Sequence, residues 1–339
     1  MLIQRLCSLD DLAQIERLAI ASPAGITSLP ADRQRLSVLI EGTEAAMDED
    51  VEFTGDERYF FVLEEADSGR LVGCSSIISA AGFSQPFHTF RNEMFVHASR
   101  ELGLHNRIHV LSLCHDLTGH SLLTGFYLDP AWRSPAALRL NACGRLLFAA
   151  SHRQRFAESI AVEISGVTDD EGNSPFWDGV CRHFFDVDHA EAERLGSSLG
   201  RSVLAELLPG YPLYVPMLPD AAQEAIGQVR PASQVVYDIL MAEGFESDNY
   251  VDIFDGGPVV QAHTAELSSV RSSHLARVQI GEPLPASGDW LIANLQVRDF
   301  RACLCPLAWT PGEPVILDEQ LARRLKVADG DWLRLMGAS

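Results

Sequence analysis

Histidine is the residue type whose spacing in this chain first suggests chemistry. The histidines His88, His97, His105, His109, His115 and His120 fall within one short span. Imidazoles four residues apart, as at His105 and His109, could bind a metal from one face of a helix. The flanking residues are typical of strand and loop instead, and no acidic third ligand stands at a recognised interval. We therefore expect no metal site in this span.

The cysteines indicate a reduced protein interior. They are Cys7, Cys74, Cys114, Cys143, Cys181, Cys303 and Cys305. Their number is odd and most are set among apolar residues, which is typical of free core thiols. Cys303 and Cys305 lack a second cysteine pair to complete a zinc site, and strand alternation would place both on one face. We expect no disulfide.

The composition is typical of a soluble globular protein, with 47% hydrophobic and 22% charged residues. The longest apolar runs, such as Leu122–Leu128, are shorter than the ~20 residues of a membrane helix. Met1–Asp10 is charged and contains no apolar run with a cleavage site, so we expect a cytoplasmic protein. A net charge of −21 argues against a nucleic-acid partner and is compatible with a cationic substrate.

Strands and helices that could position a site follow from periodicity and turn residues. In the first part of the chain the predicted elements are a strand at Leu2–Arg5, helices at Leu9–Ile20 and Ala31–Met47, a hairpin of Arg58–Leu63 and Leu71–Ser79, and strands near Arg91–His97 and Ile108–Cys114. The central part is predicted as a strand at Leu122–Leu128, a helix near Ala136–Phe156, a strand at Ser159–Ser165 and a short helix from Ser174 to Phe184. The last part is predicted as a strand near Leu204, a helix at Ser233–Glu243, a strand at Asn249–Phe254 and β runs near Leu291–Leu295, Ala302–Leu307 and Asp331–Leu335.

The segment Thr124–Arg133 and the helix after it resemble the central strand and acyl-CoA-binding turn of the N-acetyltransferase superfamily. In that superfamily a splayed strand offers backbone groups to the pantetheine, and N–H groups at a helix N-terminus bind the pyrophosphate. The turn in this chain, Arg133–Leu138, lacks the glycines that let the backbone close on phosphate. The alternative interpretation is a buried strand that leads into a core helix.

A later element, Asn173–Trp177 with a short helix after it, resembles another part of the same superfamily. Trp177 stands where that element often carries a tyrosine that protonates the departing thiolate. An indole cannot donate that proton, which implies that the proton comes from elsewhere.

Motifs outside this core make the resemblance specific. They are Thr27–Pro30, Phe95–Ser99, Asp116–Gly119, Ser174–Trp177, Ala205–Leu207, Gly227–Val229 and Asp252–Pro258. In that order they are similar to the arginine/ornithine N-succinyltransferases, and most of all to their alpha chains. The resemblance implies an α+β fold: an N-acetyltransferase-like mixed sheet flanked by helices as the acyltransferase domain over 1–258, and a small C-terminal β-rich subdomain over 259–339.

The resemblance also implies an activity. Family members transfer succinyl from succinyl-CoA to the α-amine of arginine, in some cases ornithine, as the first step of arginine catabolism by succinylation. Succinyl-CoA is a co-substrate, so no permanently bound cofactor is implied. Because some members pair an alpha with a beta chain, we expect an oligomer with a paralogous beta chain as a candidate partner, and no membrane or nucleic-acid partner.

Direct attack of the neutral amine on the thioester would need an oxyanion donor, which the resemblance assigns to backbone N–H groups of the central strand. The residues implied in succinyl-CoA binding are Gly125, Phe126, Tyr127, Leu128 and Arg133. Phe126 is the closest single position. Asp116 and Glu163, near the ends of neighbouring strands, could each hold the guanidinium or ammonium of the substrate. For both carboxylates the alternative is a solvated or capping role.

Arg230 is the implied catalytic position and departs from the family pattern. The family carries a histidine proton donor in the pattern G-Q-V-H-P, which here reads Gly227–Pro231 with arginine in fourth place. Arginine stays protonated, so it could stabilise an oxyanion or a succinyl carboxylate but is a poor general acid. Three alternatives stay open: a bystander loop arginine, a catalytically silent subunit that binds ligand and stabilises a partner enzyme, and an acyltransferase for another amine.

Overall fold

The computed structural model describes residues 1–22 and 29–338, with the side chains of 197–199 excepted. Thr27 and Ser28 of the first family motif lie outside the described residues. The strands are β1 (Leu2–Leu6), β2 (Arg58–Glu65), β3 (Arg70–Ile78), β4 (Thr89–Ser99), β5 (Leu104–Cys114), β6 (Ser121–Leu128), β7 (Ser159–Glu163), β8 (Leu213–Tyr214), β9 (Glu246–Val251), β10 (Pro258–His263), β11 (His274–Ile280), β12 (Gly288–Asn294), β13 (Arg301–Leu307), β14 (Val315–Leu317) and β15 (Trp332–Gly337). The helices are α1 (Leu12–Ala21), α2 (Arg33–Asp48), α3 (Pro135–Ser151), α4 (Pro175–Gly179), α5 (Arg182–Phe185), α6 (His189–Leu199), α7 (Arg201–Ala205), α8 (Asp220–Ala225), α9 (Gln234–Glu243), α10 (Ser268–Arg271) and α11 (Glu319–Arg324).

These strands form one extended sheet in the order β14-β11-β15-β12-β13-β1-β2-β3-β6-β7-β10-β9-β4-β5-β8. Neighbours are antiparallel apart from two parallel pairs, β6 with β7 and β11 with β14. The predicted α+β architecture, a mixed sheet flanked by helices, is confirmed. No described helix is both long and apolar enough to cross a membrane.

Strand β2 shows how helices cover both faces of the sheet. Phe61 belongs to the core cluster that contains Leu146 of α3, whereas Phe60 belongs to the cluster that contains Ile15 of α1 and Leu36 of α2. Successive side chains of a strand point to opposite faces. Helix α3 therefore lies on one face, and α1 with α2 on the other.

The parallel pair β6 and β7 separates along its length. Ser121 pairs with Ile160 and Leu123 with Val162, and among the described residues the pairing stops there. Beyond that point β6 stays paired with β3, through Leu128 opposite Gly73, while β7 stays paired with β10. Because each strand stays paired with its other neighbour, a gap opens between the carboxyl ends of β6 and β7.

A bulge in β6 lies at this gap. The pairing of β6 with β3 shifts register between Cys74 and Ser76, so that Gly125 and the residue after it face a single residue of β3. Gly125 has φ +63°, and a Cβ there would lie 3.1 Å from Oγ of Ser76. Because glycine alone adopts this conformation without strain, the bulge explains the glycine in the middle of a strand.

Strands β11–β13 and β15 continue the same sheet through β13, which pairs with β1. They pack with α11 around a separate apolar cluster that includes Ile292, Leu325 and Leu335. Strand β10 begins at Pro258 yet pairs with β7 near the middle of the sheet. The division into domains at 1–258 and 259–339 stays a prediction. Among the described residues the sheet is continuous across residue 258, where β10 begins.

Several sequence-based assignments differ from the structure. The strand predicted near Leu204 is wrong, because the segment forms helix α7, and a short apolar run does not distinguish a strand from a buried helix. The long helix ends at Ser151 rather than near Phe156, and strands β8, β10, β11 and β14 are absent from the sequence-based assignments. His105 and His109 lie in strand β5, as the absence of a helical pattern indicated.

Candidate active site

A cleft of about 450 Å³ opens where β6 and β7 separate. Its walls contain most of the residues that the sequence singled out, namely Gly125, Phe126, Tyr127, Leu128, Arg133, Glu163 and Arg230. The far wall is formed by the first residues of α6, the Arg230 loop and α9. The structure thus brings the predicted acyl-CoA strand and the predicted catalytic position to one cavity.

Helix α3 begins at the mouth of this cleft, and residues of the helix and its N-cap already use part of the hydrogen-bonding capacity of its N-terminus. Pro135 has no N–H, Oγ of Ser134 accepts from the N–H of Ala137 at 3.2 Å, and Leu138 donates to the carbonyl of Ser134 at 2.9 Å. Among the described residues, the first turn leaves the N–H groups of Ser134 and Ala136 without a partner. A phosphate would therefore find fewer donors than a helix N-terminus can offer.

Two arginines lie on the rim of the cleft. Nη2 of Arg133 donates to the carbonyl of Ala232 at 2.8 Å, which ties the α3 turn to the loop before α9. In that loop the backbone N–H of Arg230 donates to the carbonyl of Ser165 at 2.9 Å. The Arg230 guanidinium is half-buried and, within the described part of the chain, forms no ion pair. Both guanidinium groups are cations available to an anionic ligand.

The inner wall carries an acidic cluster, which we define as Glu163, Glu193, Asp252 and Asp255 around Arg201. Nη1 of Arg201 donates to Oε2 of Glu163 at 2.7 Å, and its Nη2 donates to Oδ2 of Asp252. The Oε1 atom of Glu163 is buried and has no hydrogen-bond partner in the described structure. Only Glu163 and Asp252 bind this guanidinium directly, so the four carboxyl groups could accept a further cation from a substrate.

The cluster's carboxyl groups have unusual pKa values. Burial raises the pKa of Glu163 well above its usual range, against the charge of Arg201 and with the help of Asp252. Burial and the charge of Asp252 raise the pKa of Asp255 to about 7. For Asp252 burial is outweighed by Arg201, so its pKa falls below the usual range. The wall therefore gains or loses negative charge near neutral pH.

The turn after β9 holds two members of this cluster in place through side-chain-to-backbone bonds. Oδ1 of Asp252 accepts from the N–H of Phe254 at 2.7 Å and of Asp255 at 3.1 Å. Asp255 accepts from Gly257 at 2.8 Å and from Gly166, beyond β7, at 2.7 Å. Aspartates that bond nearby backbone N–H groups are typical of tight turns.

Glycines allow this turn to approach β7 closely. Gly256 has φ +69°, and a Cβ there would lie 2.6 Å from the ring of Phe176. A Cβ on Gly257 would lie 2.1 Å from the carbonyl oxygen of Ile164. The two aspartates and two glycines of Asp252–Pro258 are therefore explained by the turn that positions the acidic cluster.

Two predicted positions lie away from the cleft. Asp116 accepts from Nη1 of Arg91 at 2.6 Å and from the hydroxyl of Tyr250 at 3.2 Å, beyond β5. Trp177 is 1% exposed, stacks between Phe185 and Phe254, and donates to a backbone carbonyl at 2.9 Å. The structure does not bring Asp116 together with Glu163, and Trp177 belongs to the core.

Sequence reasoning missed Arg201, Arg145 and Glu193 as cleft residues. Arg201 begins a helix where a strand was predicted, and it lies 38 residues from its partner Glu163. Arg145 stands inside an almost wholly buried helix. An arginine in an otherwise apolar helix is a local signal that could have marked this position.

Comparison with known proteins now identifies the family. The family described as arginine N-succinyltransferase beta subunit matches residues 2–269, and the family of its C-terminal domain matches residues 274–337. The chain belongs to the arginine N-succinyltransferase family. This confirms the resemblance predicted from the motifs, and the chain is an acyltransferase of that family.

Individual relatives support the alpha type within the arginine N-succinyltransferase family. The chain is 53% identical to arginine N-succinyltransferase subunit alpha of Pseudomonas aeruginosa over 99% of each chain. Identity to subunit beta of the same organism is 36%, over 97% of this chain and 96% of that one. The solved structure of arginine/ornithine succinyltransferase subunit AI from P. aeruginosa matches with a TM-score of 0.92 at 51% identity, covering 100% of this chain and 99% of that chain.

Proposed function

We propose that this chain transfers the succinyl group of succinyl-CoA to the α-amine of arginine. The observation that carries the proposal is the cleft between β6 and β7. Strand β6, whose backbone groups could bind a thioester, and the acidic cluster, which could bind a cation, line the same cavity. The splayed parallel strands, the bulge at Gly125 and the start of α3 at the cleft mouth support an N-acetyltransferase-like mode of acyl-CoA binding.

The reaction forms one bond and breaks another. The neutral α-amine attacks the thioester carbonyl carbon, a C–N bond forms, and the C–S bond then breaks as CoA leaves. The nitrogen gives up a proton and the departing thiolate takes one up. Backbone groups of β6 near Phe126 stabilise the oxyanion, and the charge of Arg230 stabilises negative charge in the transition state without supplying the proton.

The acidic cluster binds the acceptor in this proposal. Glu163 lines the cleft, and its buried Oε1 has no hydrogen-bond partner among the described residues. Within the cluster, Arg201 binds Glu163 and Asp252 alone. A guanidinium or ammonium group would complete the pairing. Asp116 is not part of this site, because it is engaged with Arg91.

Oligomerisation with a paralogous beta chain is the second part of the proposal. Relatives carry the names subunit alpha and subunit beta. The outer half of the β4–β5 hairpin exposes Met94, Val96, Leu102 and Leu104 by 51%, 56%, 72% and 62%. A protruding apolar hairpin favours a protein contact over solvent. Sedimentation of the chain, alone and mixed with the beta chain, would measure this directly.

A direct assay tests the activity and its main rival. The purified chain, alone and with the beta chain, is incubated with succinyl-CoA and arginine, and N-succinylarginine is detected by mass spectrometry. Product from the chain alone supports the proposal, and product that needs the partner indicates dependence on it. A mixture no more active than the beta chain alone would instead indicate a catalytically silent subunit.

A further inference from the structure

Arg145 is a buried arginine of α3 that lines the cleft and has no carboxylate partner. It is 1% exposed. Its Nη1 donates to the carbonyl oxygens of Ser76 at 2.8 Å and Thr124 at 3.1 Å, and its Nε donates to that of Ala142 at 3.3 Å. Among the described residues, its Nη2 has no acceptor and no Asp or Glu lies within ion-pair distance. Every partner of this cation is a neutral carbonyl.

Such a charge is unusual in a protein interior. Burial lowers the pKa of Arg145 to about 10, so the guanidinium still carries its charge at neutral pH. Buried charges are normally paired with an opposite charge, as Arg201 is with Glu163 and Asp252. In the described structure Arg145 is therefore a cation without a counter-charge, and its Nη2 lies free to donate in the wall of a ligand cleft. These features indicate that the ligand itself brings an anionic group.

The surroundings of Arg145 define the ligand further. Part of the cleft lining is apolar and belongs to one core cluster, against which Phe126 packs: Leu123, Leu138, Val162, Val236 and Leu240. The Arg145 guanidinium carbon also lies 5.9 Å from the ring centre of Phe126 on the bulged strand. An acyl group that attaches at β6 would thus run through apolar surroundings and end at a single cation. Two methylene groups with a terminal carboxylate have this character.

We propose that Arg145 binds the terminal carboxylate of the acyl group and so selects a dicarboxylic acyl-CoA over a monocarboxylic one. The inference rests on the proposed transfer reaction and assigns its acyl specificity to one side chain. Nη2 donates to the carboxylate oxygen, while Nη1 stays bound to the carbonyl oxygens of Ser76 and Thr124. Arg230, on the rim, acts on the transition state and not on the choice of acyl group.

Kinetics with two acyl donors test the assignment in the complete enzyme, with the beta chain present if activity needs it. Arg145→Met should lower kcat/KM for succinyl-CoA about 100-fold, as expected for loss of a buried charged contact, and change that for acetyl-CoA by less than about 5-fold. Arg145→Lys, which keeps the charge, should restore part of the preference. An equal loss with both donors would overturn the proposal and make Arg145 a purely structural cap of the bulge.

Two control variants exclude general effects. Arg155 is also a buried arginine bonded only to neutral oxygens, those of Ala46, Glu49 and Tyr59, but it does not line the cleft. Arg155→Met should leave the ratio of kcat/KM for the two donors unchanged. Arg230→Met should lower both values together. If Arg230→Met removed the preference for succinyl-CoA instead, the carboxylate site would have to be reassigned to Arg230.

A structure with a ligand keeps the proposal testable if Arg145 variants fail to fold. The wild-type protein is crystallised with a succinyl-CoA analogue whose thioester is replaced by a non-hydrolysable thioether. A carboxylate oxygen within hydrogen-bond distance of Nη2 of Arg145 supports the assignment, and a carboxylate held elsewhere overturns it. An enzyme that succinylates no amine but binds the analogue through Arg145 would refute the transfer reaction and not the anion site.

Discussion

Arg201 donates to Oε2 of Glu163 at 2.7 Å and leaves the other oxygen of that carboxyl group, Oε1, buried without a partner among the described residues. Glu163 ends the strand β7, at the point where β6 and β7 have already separated. Glu163 lines the cleft that opens there. This relationship makes Glu163 the group best placed to receive a cation from a ligand.

Glu163→Gln should weaken acceptor binding. The substitution keeps the size of the side chain but replaces a carboxyl group, whose ionised form a bound cation favours, with an amide that cannot ionise. KM for arginine should therefore rise about 10-fold or more while KM for succinyl-CoA changes little. Asp116→Asn is the matched control, since Asp116 lies outside the cleft. Steady-state kinetics with each substrate varied in turn would measure both, and an equal effect of the two substitutions would contradict the site.

The acceptor should be selected by its positive charge. With carboxyl groups in excess on the inner wall, kcat/KM for arginine should exceed that for a neutral amino acid of similar length by at least about 10-fold. Competition between arginine and the neutral amino acid in one reaction gives this ratio. Equal rates would rule out the acidic cluster as the acceptor site.

Acceptor binding should depend on pH in one direction. The raised pKa values of Glu163 and Asp255 mean that these carboxyl groups stay protonated, and uncharged, at a pH where ordinary ones are ionised. Asp255 therefore contributes negative charge to the wall above about pH 7 and loses it below, whereas Asp252, whose pKa is lowered, stays charged. KM for arginine should therefore increase several-fold between about pH 8 and pH 6, more than KM for succinyl-CoA does. A KM for arginine that is constant over this range would contradict the pKa assignments.

The chain alone should bind CoA weakly. With Pro135 in the first position of α3 and the N–H of Ala137 already capped, few backbone donors can reach the pyrophosphate. Calorimetric titration of the isolated chain should give a Kd for CoA above about 10 μM. A low-micromolar value would show that other groups, such as Arg133, replace the missing donors.

Arg230→His should increase turnover. The family pattern has a histidine at this position, which can give a proton to the departing thiolate near neutral pH, whereas arginine cannot. Since a positioned general acid is worth about 10²–10⁴-fold and CoA thiolate is already a tolerable leaving group, we expect an increase of several-fold at least. The pH profile of the variant should gain a titration near the pKa of imidazole. Unchanged or lower turnover in a folded variant would mean that the acid lies elsewhere.

Gly257→Ala should destabilise the protein. Its Cβ would lie 2.1 Å from the carbonyl oxygen of Ile164, so the turn that carries Asp252 and Asp255 must move, at a cost of about 1–3 kcal/mol. Gly288→Ala is the matched control, because a Cβ at Gly288 meets nothing within 4 Å. Thermal unfolding of both variants gives the comparison. A Gly257→Ala variant as stable as the control would show that the turn does not need this close approach.

Much of the local structure could be predicted from the sequence. Strand β6 and helix α3 follow from an apolar run that ends at Asp129-Pro130 and from Ser134-Pro135, which is a strong helix start. The motifs that resemble the family include turns such as Asp252–Pro258, whose aspartates and glycines have local structural reasons. The resemblance also indicated the positions around Gly125 and Arg230, whereas Glu163 was a candidate as a carboxylate near the end of a strand.

Other parts of the site were decided only by long-range strand pairing. Asp116 follows β5, and the sheet order places β10, β9 and β4 between β7 and β5, so Asp116 cannot reach the cleft even though a strand end precedes it. Arg201 reaches Glu163 and Asp252 because the chain returns to the end of β7 at the start of α7. Arg145 faces the cleft because β6 and β7 part beside it. The order of the strands and the separation of β6 from β7 depend on contacts between residues far apart in the chain. The local patterns that determine each helix and strand do not specify those contacts.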